Sequence, residues 1–373
     1  MLQKNVFLTL TLFCLICTAV RSALAAEDYT VTGKIIDQRT KKPLADANVF
    51  IANSMIGDAS DRDGVFKLEH VPSGTFELVA SVIGYEVEKI EIVVPQPADQ
   101  QILLSLEPRI LDAPEVVVKA SDLAKRDSRF DRFKRLLFSN TKFASKMHVL
   151  NPDALLLEGE VDGEFRVFAE GPIHIENRAL GYRIDFFLKD FRASKENLRY
   201  KGFVRFQELE AKSTKEAKSW RKNRLNAWRG SLRHFLATIH EGMNGDMGKA
   251  LKREGFDVYA FQHSWERESR RTNNKTNINL YLKPGERDDE ILLSFTGYLG
   301  VIYEKEYESQ GYISFHKITQ RQARFQESWI EIPGNVVKIG PYGRYHSSSP
   351  INKHGYWAWE RVADMLPFEY QPK

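Results

Sequence analysis

The first third of the chain is built from short runs of β-branched and aromatic residues, some alternating with polar ones. Residues 29–36, 47–51, 64–68, 76–80 and 87–94 each fit a strand. Turn chemistry separates them at Lys42-Pro43, Asp61-Arg62-Asp63-Gly64 and Pro72-Ser73-Gly74. Strands this short bury their apolar faces only by stacking two sheets, so 27–120 is expected to be a small sandwich. Beyond residue 120 the pattern changes. Phe130, Phe133 and Leu137 recur at helical spacing and predict a helix over 122–138. Strands are expected near 155–160, 163–169, 172–176, 181–188 and 200–208, then helices over 213–240 and 246–253. Gly230 is expected to interrupt or kink the first of these two helices. Further strands fit 256–263, 277–283, 290–297 and 299–306. An extended stretch follows at 330–345, and a short helix at 356–365 ends before Pro367. Strands, then helices, then strands again predict an α+β unit over 121–373 rather than a doubly wound sheet.

One segment belongs to neither unit. Lys4 precedes the uncharged, mostly apolar stretch from Val6 to Val20, and Ala23-Leu24-Ala25 offers small residues at a cleavage spacing. That is the layout of a secretory signal peptide over 1–26, cut after Ala25 or Ala26. A membrane span needs roughly 20 apolar residues, so a retained anchor is the weaker reading. The chain's two cysteines, Cys14 and Cys17, both lie in this leader. Removing it leaves a thiol-free protein, without disulfides, thiol catalysis or thiolate metal sites. A large exported protein with no disulfide fits the envelope of a Gram-negative bacterium better than the eukaryotic secretory route.

Charge divides the chain at the same place as the hydrophobic pattern. Residues 27–120 hold 16 acidic and 9 basic side chains, whereas 121–373 hold 34 acidic and 43 basic. Two units of opposite sign are expected, with mutual attraction as a hypothesis. The net charge of the whole chain, +4, gives no ground for nucleic acid as a partner.

Several motifs of the first unit look familiar when taken in order. They are Gly33-Lys-Ile-Ile-Asp37, Pro43-Leu-Ala-Asp-Ala-Asn-Val49, Asp61-Arg-Asp-Gly-Val-Phe66, Pro72-Ser-Gly-Thr-Phe76 and Ile83-Gly-Tyr85. This set resembles the carboxypeptidase regulatory-like domain, a transthyretin-like β-sandwich common at the N-terminus of bacterial outer-membrane proteins. The run from Leu111 through Glu115 to Val118 resembles the strand that closes this module. The resemblance implies a non-catalytic module and a place in the cell envelope. The expected fold is thus a mainly β N-terminal sandwich, transthyretin- or immunoglobulin-like, followed by a larger α+β domain. The second unit somewhat resembles the C-terminal part of exported proteins carrying the same module. Asn177-Arg178, Gly181-Tyr182, the stretch from Trp220 to Arg233, and Trp359 to Pro367 carry that likeness, which implies no activity. A lysine- and arginine-rich helix in its middle argues against a lipid-facing barrel.

Two surfaces stand out as candidates for binding. Lys215, Lys218, Arg221, Lys222 and Arg229 crowd onto the predicted helix, with Trp220 and Trp228 among them. They suit an anionic partner, such as lipid phosphates or an acidic glycan, although a merely solvated helix face is the plainer reading. Arg221, Leu225, Trp228 and Leu232 are expected to share one face. The second candidate is the aromatic tail, with Tyr342, Tyr345, Tyr356 and Trp357 gathered near Trp359. Exposed rings stack on sugars, but rings closing over a core are more common, with Trp357 or Trp359 the deeper member. His263-Ser264-Trp265-Glu266 has a zinc-peptidase spacing without a third ligand, and Asp61-Arg62-Asp63-Gly64 opens a calcium loop that Pro72 cannot complete. No catalytic residue, metal or cofactor is assigned. The expectation is an exported, non-catalytic protein of the periplasm or outer membrane, without a transmembrane span. It would bind a glycan, an anionic envelope lipid or an outer-membrane protein. The alternative is a hydrolase of wall or polymeric carbohydrate or peptide substrates.

Overall fold

The computed structural model describes residues 28–97, 101–109, 120–161, 163–195, 197–273, 275–318, 324–345 and 351–372. The predicted leader at 1–26 and the closing strand at 111–118 lie outside the described residues.

The N-terminal unit is a two-layer sandwich of seven strands. One layer runs Val65–Pro72, Asp28–Asp37, Ile102–Leu106, with the last pair parallel. The facing layer runs Gly57–Ala59, Asn48–Ile51, Gly74–Ser81, Glu88–Val94. Val31, Ile35, Val49, Phe66, Leu68 and Leu78 meet between the layers, each almost wholly buried. Alternation along Val65–Pro72, with Phe66 and Leu68 inward and Lys67 and Glu69 outward, is the periodicity read from the sequence. The Asp61 carboxylate accepts from the backbone N–H groups of Asp63 and Val65 at 2.9 and 2.8 Å, so this segment is a turn between strands.

Residues 120–372 form the mixed α+β part, built around two hydrophobic cores. The first lies under a six-stranded sheet dominated by the pair Tyr182–Ala193 and Leu198–Glu208. The helix Ala120–Phe138 packs there through the predicted face, with Phe133 and Leu137 fully buried. The second core fills the space between the sheet Phe256–Phe261, Tyr298–Tyr307, Phe325–Glu331, Asn352–Gly355 and the helices Leu232–Met243 and Met247–Glu254. A smaller four-stranded sheet, Leu282–Pro284, Ile291–Leu293, Val337–Gly340 and Arg344–Tyr345, contributes Leu293, Val337 and Ile339 to it.

The long helix expected over 213–240 is two helices, Thr214–Trp228 and Leu232–Met243. Gly230 takes φ +72° between them, and Ser231 then caps the second helix by accepting from the His234 N–H. A side chain at Gly230 would stand 2.6 Å from the Tyr303 ring, so close approach as well as backbone handedness selects glycine. The helix expected over 356–365 is only one turn, Tyr356–Trp359, followed by a 3-10 turn at Val362–Asp364. Part of the strand expected over 277–283 is a 3-10 turn at Ile278–Tyr281. The strand Asn352–Gly355 and the short helices Arg267–Asn273 and Gln310–Phe315 have no counterpart in the sequence pattern, being too short to carry a period.

The sandwich is fastened to the rest by direct contacts among the described residues. Phe50 stacks on Phe187 at 4.6 Å, within a small cluster that includes Ala52, Val79 and Phe203. The Asn53 N–H donates to Val204 at 2.7 Å, and the Phe206 N–H to Ser54 at 2.8 Å. Arg205 donates to the Gly57 carbonyl at 2.7 Å, and Lys338 lies 3.6 Å from Glu91. The last residues close the seam, with the Phe368 N–H donating to Asn53 and Glu369 accepting from the Met55 N–H.

Candidate functional site

Four of the basic residues sit along the outer side of Thr214–Trp228, and Arg229 follows at its C-cap. Lys215, Lys218, Arg221, Lys222 and Arg229 are all exposed, and among the described residues none makes an ion pair. The face that docks is set by Trp220, Arg224, Ala227 and Trp228. Arg221, expected to share the docking face with Trp228, points to solvent instead. Its place is taken by Arg224, which donates to the carbonyls of Leu180 and Gly181 and lies 4.1 Å over the Tyr182 ring. Long arginine stems pack well beside aromatic rings, so a basic run splits between core and surface.

The aromatic tail does not form a platform. Tyr356 and Trp357, expected as candidate binding residues, are 8% and 2% exposed, and the Trp357 Nε1–H donates to the Gly230 carbonyl at 2.6 Å. Both serve the core, as does Trp359. Tyr345 is half-buried, and Tyr342 alone is well exposed, at a φ of +59°. His346 lies outside the described residues.

His263 and Glu266 hold no metal geometry. The Glu266 carboxylate accepts from the N–H groups of Gln262 and His263 at 2.9 and 3.0 Å and caps the turn that follows. Its pKa falls for that reason. Among the described residues no group of three potential ligands gathers around a common point.

A site that sequence reasoning missed lies where the sandwich, the two central helices and the C-terminal segment meet. A cavity of about 130 Å³ is lined there by Lys353, Glu360, Arg361, Asp364 and the rings of Trp228 and Tyr345, with Asn53 from the sandwich at its rim. Strand Asn352–Gly355 places Lys353, while the turn after Trp359 swings Glu360, Arg361 and Asp364 to the same side. Lys353 and Glu360 have no side-chain hydrogen bond or ion pair among the described residues. Asp364 accepts from the Thr141 hydroxyl at 2.9 Å, and Arg361 donates to the carbonyls of Leu136 and Ala358 at 2.6 and 3.2 Å. Burial dominates the proton equilibria. It raises Glu360, with further push from the Asp364 charge, raises Asp364 to about 7, and lowers Lys353. The sequence did hold a signal: three ionisable residues interleave with Val362, Ala363, Met365 and Leu366, and charges inside an apolar run need a reason.

Among the described residues no helix is long and apolar enough to cross a membrane. A search of curated proteins returns no match. Among solved structures, the chain is similar to a type II cohesin–X-dockerin complex from Acetivibrio cellulolyticus, at 18% identity over 26% of this chain and 71% of that one, with a TM-score of 0.19. It is also similar to a protein of Bacteroides fragilis described as membrane-associated and of unknown function, at 16% identity over 43% of this chain and 64% of that one, TM-score 0.18. A DUF3823 family protein of Bacteroides ovatus aligns at 12% identity over 50% of this chain and 83% of that one, TM-score 0.18. Similarities this distant carry no argument about the chain as a whole. The sequence profile of the CarboxypepD_reg-like domain, by contrast, matches residues 31–118, which overlaps the seven strands found between Asp28 and Leu106, and that unit is a carboxypeptidase regulatory-like domain.

Proposed function

We propose that this chain is an exported, non-catalytic protein of a Gram-negative envelope that holds anionic lipid headgroups on the helix Thr214–Trp228. The observation that carries the reading is the row Lys215, Lys218, Arg221, Lys222 and Arg229, solvent-facing and without ion pairs among the described residues. A cluster of exposed cations on a helix anchored by Trp220 and Trp228 offers the summed attraction to anionic headgroups that a single lysine lacks. The regulatory-like sandwich supports an envelope setting, and the leader predicted at 1–26 supports export. Vesicle flotation tests this directly. Binding to phosphatidylglycerol vesicles should weaken with salt and disappear in a variant carrying Lys215→Glu, Lys218→Glu and Lys222→Glu. Retained binding by that variant removes the helix from the proposal. Capture by an acidic polysaccharide but not by vesicles would replace lipid with glycan as the partner.

One observation favours a second reading, hydrolysis of a wall or polymeric carbohydrate or peptide substrate. Glu360 and Asp364 reach a common cavity with raised proton affinity, as acid–base groups do. Release of reducing ends or free amines from such polymers, abolished by Glu360→Gln, would establish an enzyme. No release across a substrate panel would leave the binding reading in place.

A further inference from the structure

The cavity at the seam has a charge balance that selects its occupant. Five charged side chains line it: Arg233, Lys353 and Arg361 against Glu360 and Asp364. In no protonation state of these five is the lining net negative, and with both acids ionised and Lys353 charged it carries one excess positive charge. Other charges close by do not reverse this, since Lys142 stands against Glu306. Arg233 supplies field but no free donor, because its five N–H groups are spent on the carbonyls of Tyr342, Leu366, Pro367, Phe368 and Tyr370. Among the described residues Lys353 has no side-chain hydrogen bond or ion pair, although the Glu360 and Asp364 carboxyls lie near enough to favour its charge, and Arg361 keeps Nη2 unpaired. Neither group is a wholly buried atom without a partner, so both keep some access to solvent, and both residues line the cavity. A half-buried cation with unused donors is a ready partner for an anion through charge-assisted hydrogen bonds.

Size and walls narrow the choice. About 130 Å³ is close to the volume that takes up a benzene-sized molecule, and the rings of Trp228, Tyr345, Trp357 and Phe368 offer flat apolar surfaces. We propose that this cavity binds a small carboxylate with a flat apolar body, its carboxylate held by Lys353 Nζ and Arg361 Nη2. Glu360, whose carboxyl is pushed toward its neutral form by burial and by the Asp364 charge, lines the same cavity. The site is independent of lipid binding by the basic helix, since Lys215, Lys218, Arg221 and Lys222 lie on the helix's outer side while Trp228 lines the cavity.

Isothermal titration of the full chain with benzoate, benzamide and benzylamine tests the assignment, because the three share a ring and differ in charge. Benzoate should bind, benzamide should bind at least about tenfold more weakly, and benzylamine should not bind. Lys353→Gln should weaken benzoate at least about tenfold with no effect on vesicle binding. Should that variant fail to fold, the ligand series on the native chain still separates the outcomes. Equal binding of benzamide, preference for benzylamine, or no binding of any of the three at millimolar concentration overturns the proposal. An unchanged benzoate affinity in a folded Lys353→Gln variant overturns the role of Lys353.

Discussion

The Arg233 guanidinium donates to the Pro367 carbonyl across 2.6 Å while its plane lies 4.7 Å over the Trp228 ring. Four further carbonyls, those of Tyr342, Leu366, Phe368 and Tyr370, accept from the same group. One side chain thus ties the C-terminal segment to the helix pair, and that segment in turn fastens the sandwich through Phe368 and Asn53. Burial lowers its pKa to about 10, still far above any working pH, so the clamp stays charged. Arg233→Met leaves these carbonyls without their donor and should lower stability by about 3 kcal/mol or more. Arg233→Lys keeps the charge with fewer donors and should fall between the two. Urea midpoints measure the order, and a Met variant as stable as the native chain would refute the clamp.

The seam makes a second prediction. Phe50 and Phe187 stack across the two units, both almost wholly buried. Phe50→Ala should cost about 3–5 kcal/mol and loosen the sandwich from its base. Calorimetry should then show the single native transition divide in two. A single lowered transition would mean that the backbone bonds at Asn53 and Ser54 suffice to couple the units.

Two glycines with the same backbone handedness should respond differently. Gly181 has φ +74° and Gly84 φ +87°, but a side chain at Gly181 would meet the Trp220 ring at 2.3 Å, whereas none lies within 4 Å of Gly84. Trp220 cannot move aside without losing its Nε1–H bond to the Arg178 carbonyl at 2.9 Å. Gly84→Ala should cost about 1 kcal/mol, the backbone penalty alone. Gly181→Ala adds overpacking and should cost about 3 kcal/mol. Equal losses would show that Trp220 yields.

Stability should respond to acid in two opposed ways. His234 is buried beside Glu254, Lys305 and Arg229, and burial lowers its pKa from 6.5 to about 4. Across that window the unfolded chain binds the extra proton, so stability from His234 rises with pH and is lost as pH falls. Asp364, beside Lys142, Lys353 and Glu360, is raised by burial from 3.8 to about 7, so the folded chain binds the extra proton and stability falls as pH rises through that range. Asp364→Asn removes its share of the second slope, weakens the share of neighbouring Glu360, which burial and the Asp364 charge also raise, and leaves the first. Urea unfolding between pH 4.5 and 6.5 should therefore show a steeper gain with pH in the variant than in the native chain. A shallower gain would contradict the raised Asp364.

The sandwich was legible in the sequence because a strand's period of two is local: Phe66 and Leu68 announce their face without knowledge of any partner. The helix Ala120–Phe138 was legible for the same reason through Phe133 and Leu137, and the break at Gly230 through a residue type that tolerates positive φ. Local pattern also separated the two units by charge. The sorting within a basic run depended on tertiary contact, since the Tyr182 ring and two carbonyls draw Arg224 inward while Arg221 stays in water. Likewise, the single turn at Tyr356–Trp359 is shorter than any period that could announce it, yet it decides where Glu360, Arg361 and Asp364 point. The cavity is assembled from strand, helix, turn and sandwich residues far apart in the chain, and such convergence is a property of packing rather than of any one segment.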